Sequence, residues 1–274
     1  MLMPIHTSGT KPPLFLVHGL SGDLSFAHAL GPDRPLYAIH ANGMDGREPV
    51  IDNVPDMVGA YVKQILGVHP TGSVHIGGFC AGGLAAIEVA RALQKKGLQV
   101  GPVILADPPP TPQGLNQRNR AVDPHHPLVA ESLYRSVHKR LSGRPPSPYI
   151  DGPFDRRDPQ QLHVATLAGV SSLVAFHRHV PQPFFGSVQV IVSAIRAAHF
   201  FDPAGPWHWL LPGPRMVHVV PWDHRKFFRS GGEHVARVIN FLLEESGTLE
   251  TVFGQRIAEA DSDPYRIVFH SSSP

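Results

Sequence analysis

Residues 73–97 read SVHIGGFCAGGLAAIEVARALQKKG. The stretch opens with a short, mainly apolar run, Val74-His75-Ile76, breaks at Gly77-Gly78 and then turns helical. Leu84, Ile87, Val89, Ala90 and Leu93 recur at helical intervals, Gly97 reads as the stop, and Lys95 and Lys96 suit the last turn. The break holds Gly78-Phe79-Cys80-Ala81-Gly82, in which small residues flank one reactive side chain on a tight strand-to-helix turn. Such a turn strains its central residue and leaves room only for small neighbours. Cys80 would stand at the helix N-terminus, where free N–H groups and the dipole favour a thiolate. A lone cysteine is ordinarily a small buried apolar residue. The strand before this one and the helix after it favour a nucleophile.

Composition narrows the setting. The 274 residues, 42% of them hydrophobic, suffice for one substantial core, so a single domain over 1–274 is expected. Formal net charge is +2 with no block of like charge, which gives no basis for a nucleic-acid or anionic-membrane partner. One cysteine rules out an intramolecular disulfide framework and suits a reducing compartment. The N-terminal MLMPIHTSGTKPP shows no basic segment followed by an apolar one, and no apolar run approaches bilayer length. A soluble, cytoplasmic protein is expected. The start at Met1 suits either an excised domain or an independent gene product.

The G-x-C-x-G turn between strand and helix resembles the nucleophile elbow of α/β-hydrolases, where serine usually holds the central place. The rest of the chain fits that pattern. Leu14-Phe15-Leu16-Val17-His18 is an uninterrupted apolar run, as expected of a strand buried on both faces, and leads into Gly19-Leu20-Ser21-Gly22. In this fold the loop after that strand gives one oxyanion-hole N–H and the residue after the nucleophile gives the other, so Leu20 and Ala81 are the candidates. Leu36–Ile39 reads as a strand, 53–68 as a helix capped by Asp52 or Asn53, and Val100–Ala106 as a strand ending at Asp107. Strands alternating with helices imply a mostly parallel sheet flanked by helices, with the chemistry at the strands' carboxyl ends.

From Pro108 to about Phe185 the character changes. Two helix-like segments, HHPLVAESLYRSVHKRL and QQLHVATLAGVSSLVAFHRHV, flank a proline-rich loop. So long an insertion, about 108–185, reads as a helical lid, with an apolar inner face including some of Leu162, Val164, Leu167, Val170 and Leu173. Its histidines match no compact metal-ligand spacing, and no metal is expected. The core resumes at 187–192, passes Trp207 and Trp209, and ends in a strand at 216–220 that runs into Asp223-His224. A helix over about 232–243 closes it, and 247–274 is read as a tail. The hydrolase order of nucleophile, acid, histidine makes His224 the base and leaves His18, His218 and His234 structural. Asp107 and Asp202 both follow core strands between nucleophile and histidine, so on position alone either could be the acid.

A closer resemblance lies in PPLFLVHGLSG, PLYAIHANGMDGREP, HIGGFCAGGLAAIEVARALQKKG, VILADPPP and VPWDHRKFF. Together, over roughly residues 4–245, these look like the terminal (type I) thioesterase domains of nonribosomal peptide synthetases and polyketide synthases. The resemblance implies Asp107 as the acid beside Cys80 and His224. It implies a substrate delivered on the phosphopantetheine of an acyl or peptidyl carrier protein, separate or upstream, with no bound cofactor. It also implies release of the acyl chain by cyclisation, aminolysis or hydrolysis. Most members carry serine where this chain has Cys80; those with cysteine are associated with strained lactone or lactam products. Two other readings are an ester or lactone hydrolase resembling dienelactone hydrolases, whose acid would correspond to Asp202, and a non-catalytic carrier-docking domain. An acyltransferase using a soluble acceptor is a third.

Overall fold

The computed structural model describes residues 1–17, 29–112, 123, 126–143, 155–202, 204–224, 226–227 and 231–244, and the backbone of two strands within 256–269. The strands are β1 (Leu2–His6), β2 (Leu14–Val17), β3 (Leu36–Ile39), β4 (Ser73–Phe79), β5 (Gln99–Val100), β6 (Val103–Ala106), β7 (Val188–Ser193), β8 (Arg215–Val220), β9 (Arg256–Glu259) and β10 (Tyr265–Phe269). They form one sheet in the order β1-β3-β2-β4-β6-β7-β8-β10-β9, with the short β5 on β4. Every pairing is parallel except the two at the margins, β1 with β3 and β9 with β10.

The helices are α1 (Val54–Val68), α2 (Gly82–Lys95), α3 (Pro127–Ser142), α4 (Pro159–Arg178), α5 (Ala194–Phe201), α6 (Pro206–Leu210) and α7 (Gly232–Leu243). Strand residues alternate between the two faces of the sheet. Phe15 and Val17 join the core beneath α1 and α2, whereas Leu14 and Leu16 join the one beneath α7. A two-sided apolar run therefore becomes an interior strand, since each face has helices to bury it. Asn53 caps α1 by accepting the Asp56 N–H, as the sequence suggests.

Three parts differ from expectation. The single strand expected over 100–106 is divided into β5 and β6, because Pro102 lacks the N–H that a continuous ladder needs. Leu2–His6, not anticipated, adds an antiparallel edge strand. The stretch read as a tail contributes β9 and β10, the latter parallel to β8. Within the insertion, α3 and α4 are helical as expected and share a small core of their own. Val137, Leu141, Leu162, Ala165 and Ala168 pack there with Met44, from the loop after β3. Of the five residues from which the insertion's inner face is expected, Leu162 is buried in this core and Val170 and Leu173 pack against it, whereas Leu167 is 43% exposed.

Candidate active site

The carboxyl ends of β4, β6, β7 and β8 bring the candidate residues together. β4 ends at Phe79, and Cys80 then adopts φ +52°, in the left-handed region that side chains avoid. The strain is held by a hydrogen bond from the Cys80 N–H to the Ala106 carbonyl (2.9 Å) and one from the Gly83 N–H to the Cys80 carbonyl (3.1 Å). Gly78 has to be glycine: a Cβ there would lie 2.2 Å from the Gly82 carbonyl oxygen. The elbow read from the sequence is thus a close-packed turn that leaves Cys80 partly exposed at the start of α2.

Asp107, one residue beyond β6, is also left-handed, with φ +44°, and is fully buried. Its Oδ1 accepts both the N–H (3.0 Å) and the Oγ–H (2.9 Å) of Ser193, at the end of β7. Its Oδ2 lies 2.5 Å from Nδ1 of His224. Arg196, on the first turn of α5, places Nη1 3.3 Å from that same Oδ2. His224 stacks on Phe79, ring centroids 5.1 Å apart, and Phe79 in turn stacks on Phe227. With Nδ1 occupied by Asp107, Nε2 is the ring nitrogen left to share the hydrogen bond between His224 and Cys80.

The electrostatics follow from this arrangement. Burial alone would lower the pKa of His224, but the hydrogen bonds to Asp107 and Cys80 outweigh it and raise the pKa to about 9. Burial would raise that of Cys80, yet the hydrogen bond to His224, the positive charges of His224 and Arg196 and the Ala81 N–H together bring it below the ordinary thiol value. The two hydrogen-bonded groups are thus shifted toward each other, the thiol made more acidic and the imidazole more basic than when free.

Of the residues singled out in the sequence, Cys80, Ala81, Asp107 and His224 meet here. Leu20 lies outside the described residues, as does His18. Asp202 does not meet His224 through any hydrogen bond; it ends α5 and accepts the Ala204 N–H in its own turn (2.9 Å). His218 pairs with Gln189 across the sheet (3.0 Å). Among the described residues no three metal-ligating side chains gather, and no helix is long and apolar enough to cross a membrane. Ser193 and Arg196 escape sequence reading. Their one signal is position, since SAIRA directly follows a core strand at the functional edge.

Comparison with known proteins agrees with the fold. Residues 12–142 match the family model described as the thioesterase domain. The chain is 31% identical over 230 residues to the dimodular nonribosomal peptide synthase of Bacillus subtilis strain 168, which spans 76% of this chain and 9% of that protein. It is 33% identical over 267 residues to aspulvinone E synthetase melA of Aspergillus terreus, spanning 86% of this chain and 27% of that one. The chain thus corresponds to a minor part of each of these relatives. Among solved structures, the NocB thioesterase domain in covalent complex with a fluorophosphonate nocardicin G analogue superposes with a TM-score of 0.65 at 21% identity, covering 89% of this chain and 99% of that one. A four-domain nonribosomal peptide synthetase gives a TM-score of 0.68 at 20% identity over 88% of this chain and 20% of that one. By fold the chain is an α/β-hydrolase, and by sequence it carries a thioesterase-domain match over residues 12–142 and is similar to part of these synthetases.

Proposed function

We propose that this domain releases an acyl, peptidyl or polyketide chain from the phosphopantetheine thioester of a carrier protein, through an acyl-enzyme on Cys80. The observation that supports this most is the chain of contacts from Asp107 through His224 to Cys80 at the elbow. The Cys80 thiolate attacks the thioester carbonyl, and the oxyanion is held by the Ala81 N–H with the Leu20 N–H as second donor; one such donor is worth ~10²–10³ in rate. Collapse expels the pantetheine thiol, which takes its proton from His224. His224 then deprotonates the acceptor, and Cys80 leaves as a thiolate.

Sulfur suits this chemistry. Attack on a carrier thioester is an exchange between thioesters, so the acyl group stays activated, whereas serine would store it as a less reactive oxyester. An activated intermediate favours weak or ring-straining internal nucleophiles, so cyclisation or aminolysis is the proposed release, with hydrolysis as the simpler outcome. The relatives' names as synthetases of assembled small molecules support a role in terminating such assembly. The insertion at 108–185 acts as a lid that shelters the acyl-enzyme, and the domain works in the cytoplasm without a bound cofactor.

The test is intact mass spectrometry of the domain after mixing with an acyl-loaded carrier protein. An acyl adduct on the wild type, absent from Cys80→Ala, supports the reading. Product formed without passing through Cys80 overturns it in favour of another hydrolase mechanism, and no reaction with any acyl thioester favours a docking domain.

A further inference from the structure

The least expected feature of the site is a cation that binds the acid from behind. One nitrogen of Arg196, Nη1, lies 2.7 Å from the Asp107 carbonyl oxygen, 3.1 Å from the Pro108 carbonyl oxygen and 3.3 Å from Asp107 Oδ2. Those carbonyls leave the sheet at a left-handed aspartate followed by Pro108-Pro109-Pro110, a run with no N–H of its own to steady the turn. Arg196 supplies the missing donors. Because Ser193 takes Oδ1, Arg196 and His224 share Oδ2, so a fixed positive charge sits on the oxygen that the imidazolium needs.

We propose that Arg196 is a positioning residue for the release half of the reaction: it fixes Asp107 and keeps His224 neutral once Cys80 is acylated. The inference rests on Cys80, His224 and Asp107 acting as proposed above. In the free enzyme two negative groups, the Asp107 carboxylate and the Cys80 thiolate, hold the proton on His224, and Arg196 opposes them. Asp223, next in sequence, accepts the Lys226 N–H through Oδ1. Acylation converts the thiolate into a neutral thioester, so one of the two attractions vanishes while the repulsion by Arg196 remains. His224 therefore gives its proton to the departing pantetheine thiol and stays deprotonated, ready to accept a proton from the incoming nucleophile. The same cation favours the thiolate before acylation and the free base after it.

The experiment follows deacylation separately. Wild type, Arg196→Gln, Arg196→Met and Arg196→Lys are loaded with the octanoyl thioester of N-acetylcysteamine and freed of excess reagent. Loss of the acyl mass is then timed from pH 5.5 to 9.5. The rate should rise with pH to a plateau, the midpoint reporting His224. The Gln and Met variants should move that midpoint up by on the order of one pH unit. Lysine restores a charge that one nitrogen can deliver, so its midpoint should stay near wild type. If the neutral variants lose plateau rate at an unchanged midpoint, Arg196 only props up the turn, and the inference fails. Failure of the wild type to acquire an acyl group on Cys80 overturns the underlying reading as well, a distinct result from an unmoved midpoint. Should Arg196→Gln not fold, Arg196→Met against Arg196→Lys carries the same comparison.

Discussion

Replacing Asp107 by asparagine tests the site at its most constrained point. The backbone N–H of Ser193 donates to Oδ1 and cannot turn away, so the asparagine oxygen must occupy that position. Its NH₂ then takes the place of Oδ2, facing Nδ1 of His224 and Nη1 of Arg196. Facing Arg196, it sets donor against donor. Facing His224, it forces Nδ1 to accept, which sends the imidazole proton to Nε2, the side of Cys80. That tautomer cannot act as a base there, and the equivalent change in a serine protease costs ~10⁴. A second loss comes from charge. His224 is held at about 9 against an ordinary 6.5, but its side chain is 35% exposed, so solvent screening leaves about one to two pH units of effect. At ~1.4 kcal/mol per unit this accounts for ten- to a hundredfold. The tautomer must supply the rest of an expected loss of ~10³–10⁴ in acyl-thioester turnover. Alkylation of Cys80 by iodoacetamide, read against pH, should have its midpoint moved up, because the thiol loses its imidazolium partner. Asp202→Asn should stay within about twofold of wild type, since Asp202 only closes its own turn. Near-normal turnover in Asp107→Asn, with the loss in Asp202→Asn, would refute the reasoning.

Cys80→Ser should still load from an acyl carrier yet release slowly or only to water, with trapped acyl-enzyme or free acid seen by mass; equal release of the same product would remove any special role for sulfur. Gly78→Ala forces a Cβ to within 2.2 Å of the Gly82 carbonyl, so it should lose more than about 3 kcal/mol in urea unfolding, and wild-type stability would contradict the packing of the elbow. His75, buried and then further opposed by the charge of Arg34, has its pKa lowered to about 4. The unfolded chain therefore binds the extra proton below ~6.5, so stability is full above that pH and falls by about 3 kcal/mol toward pH 4. His75→Phe should flatten the dependence of the urea midpoint across that window; an unchanged slope assigns acid sensitivity elsewhere.

The elbow is legible in sequence because its demands are local. Gly78, Ala81 and Gly82 are small for reasons contained within five residues, and strand and helix periodicities flank them. The parallel sheet is legible for a similar reason, since Leu14–Val17 and Val188–Ser193 are buried on both faces. The choice of acid is not local. Asp107 and Asp202 look alike as strand-end aspartates, and the difference lies in 117 positions of separation between Asp107 and His224. Ser193 and Arg196 are harder still, for a serine ending a strand and an arginine opening a short helix are unremarkable until their neighbours are known. Leu167 shows the opposite error: apolar character alone does not tell which residues of α4 face inward, and Leu162 is buried while Leu167 is exposed. The strands at 256–259 and 265–269 escape notice because short apolar runs beyond an apparently closed core carry little periodic signal.

Ser193 also ties the site to the register of the sheet. β6 and β7 are neighbours in parallel register, Ala106 opposite Ile191, so Asp107 follows on to stand level with Val192, one residue short of Ser193, at one spacing of about 4.8 Å between strands. His224 arrives from β8, on the far side of β7, and must reach past Ser193 to find its carboxylate. The hydroxyl and N–H of Ser193 therefore act as a clasp between two strand ends. A shift of β7 against β6 by one residue would remove both donors from Asp107 Oδ1 at once, so the register of the sheet itself sets the orientation of the carboxylate.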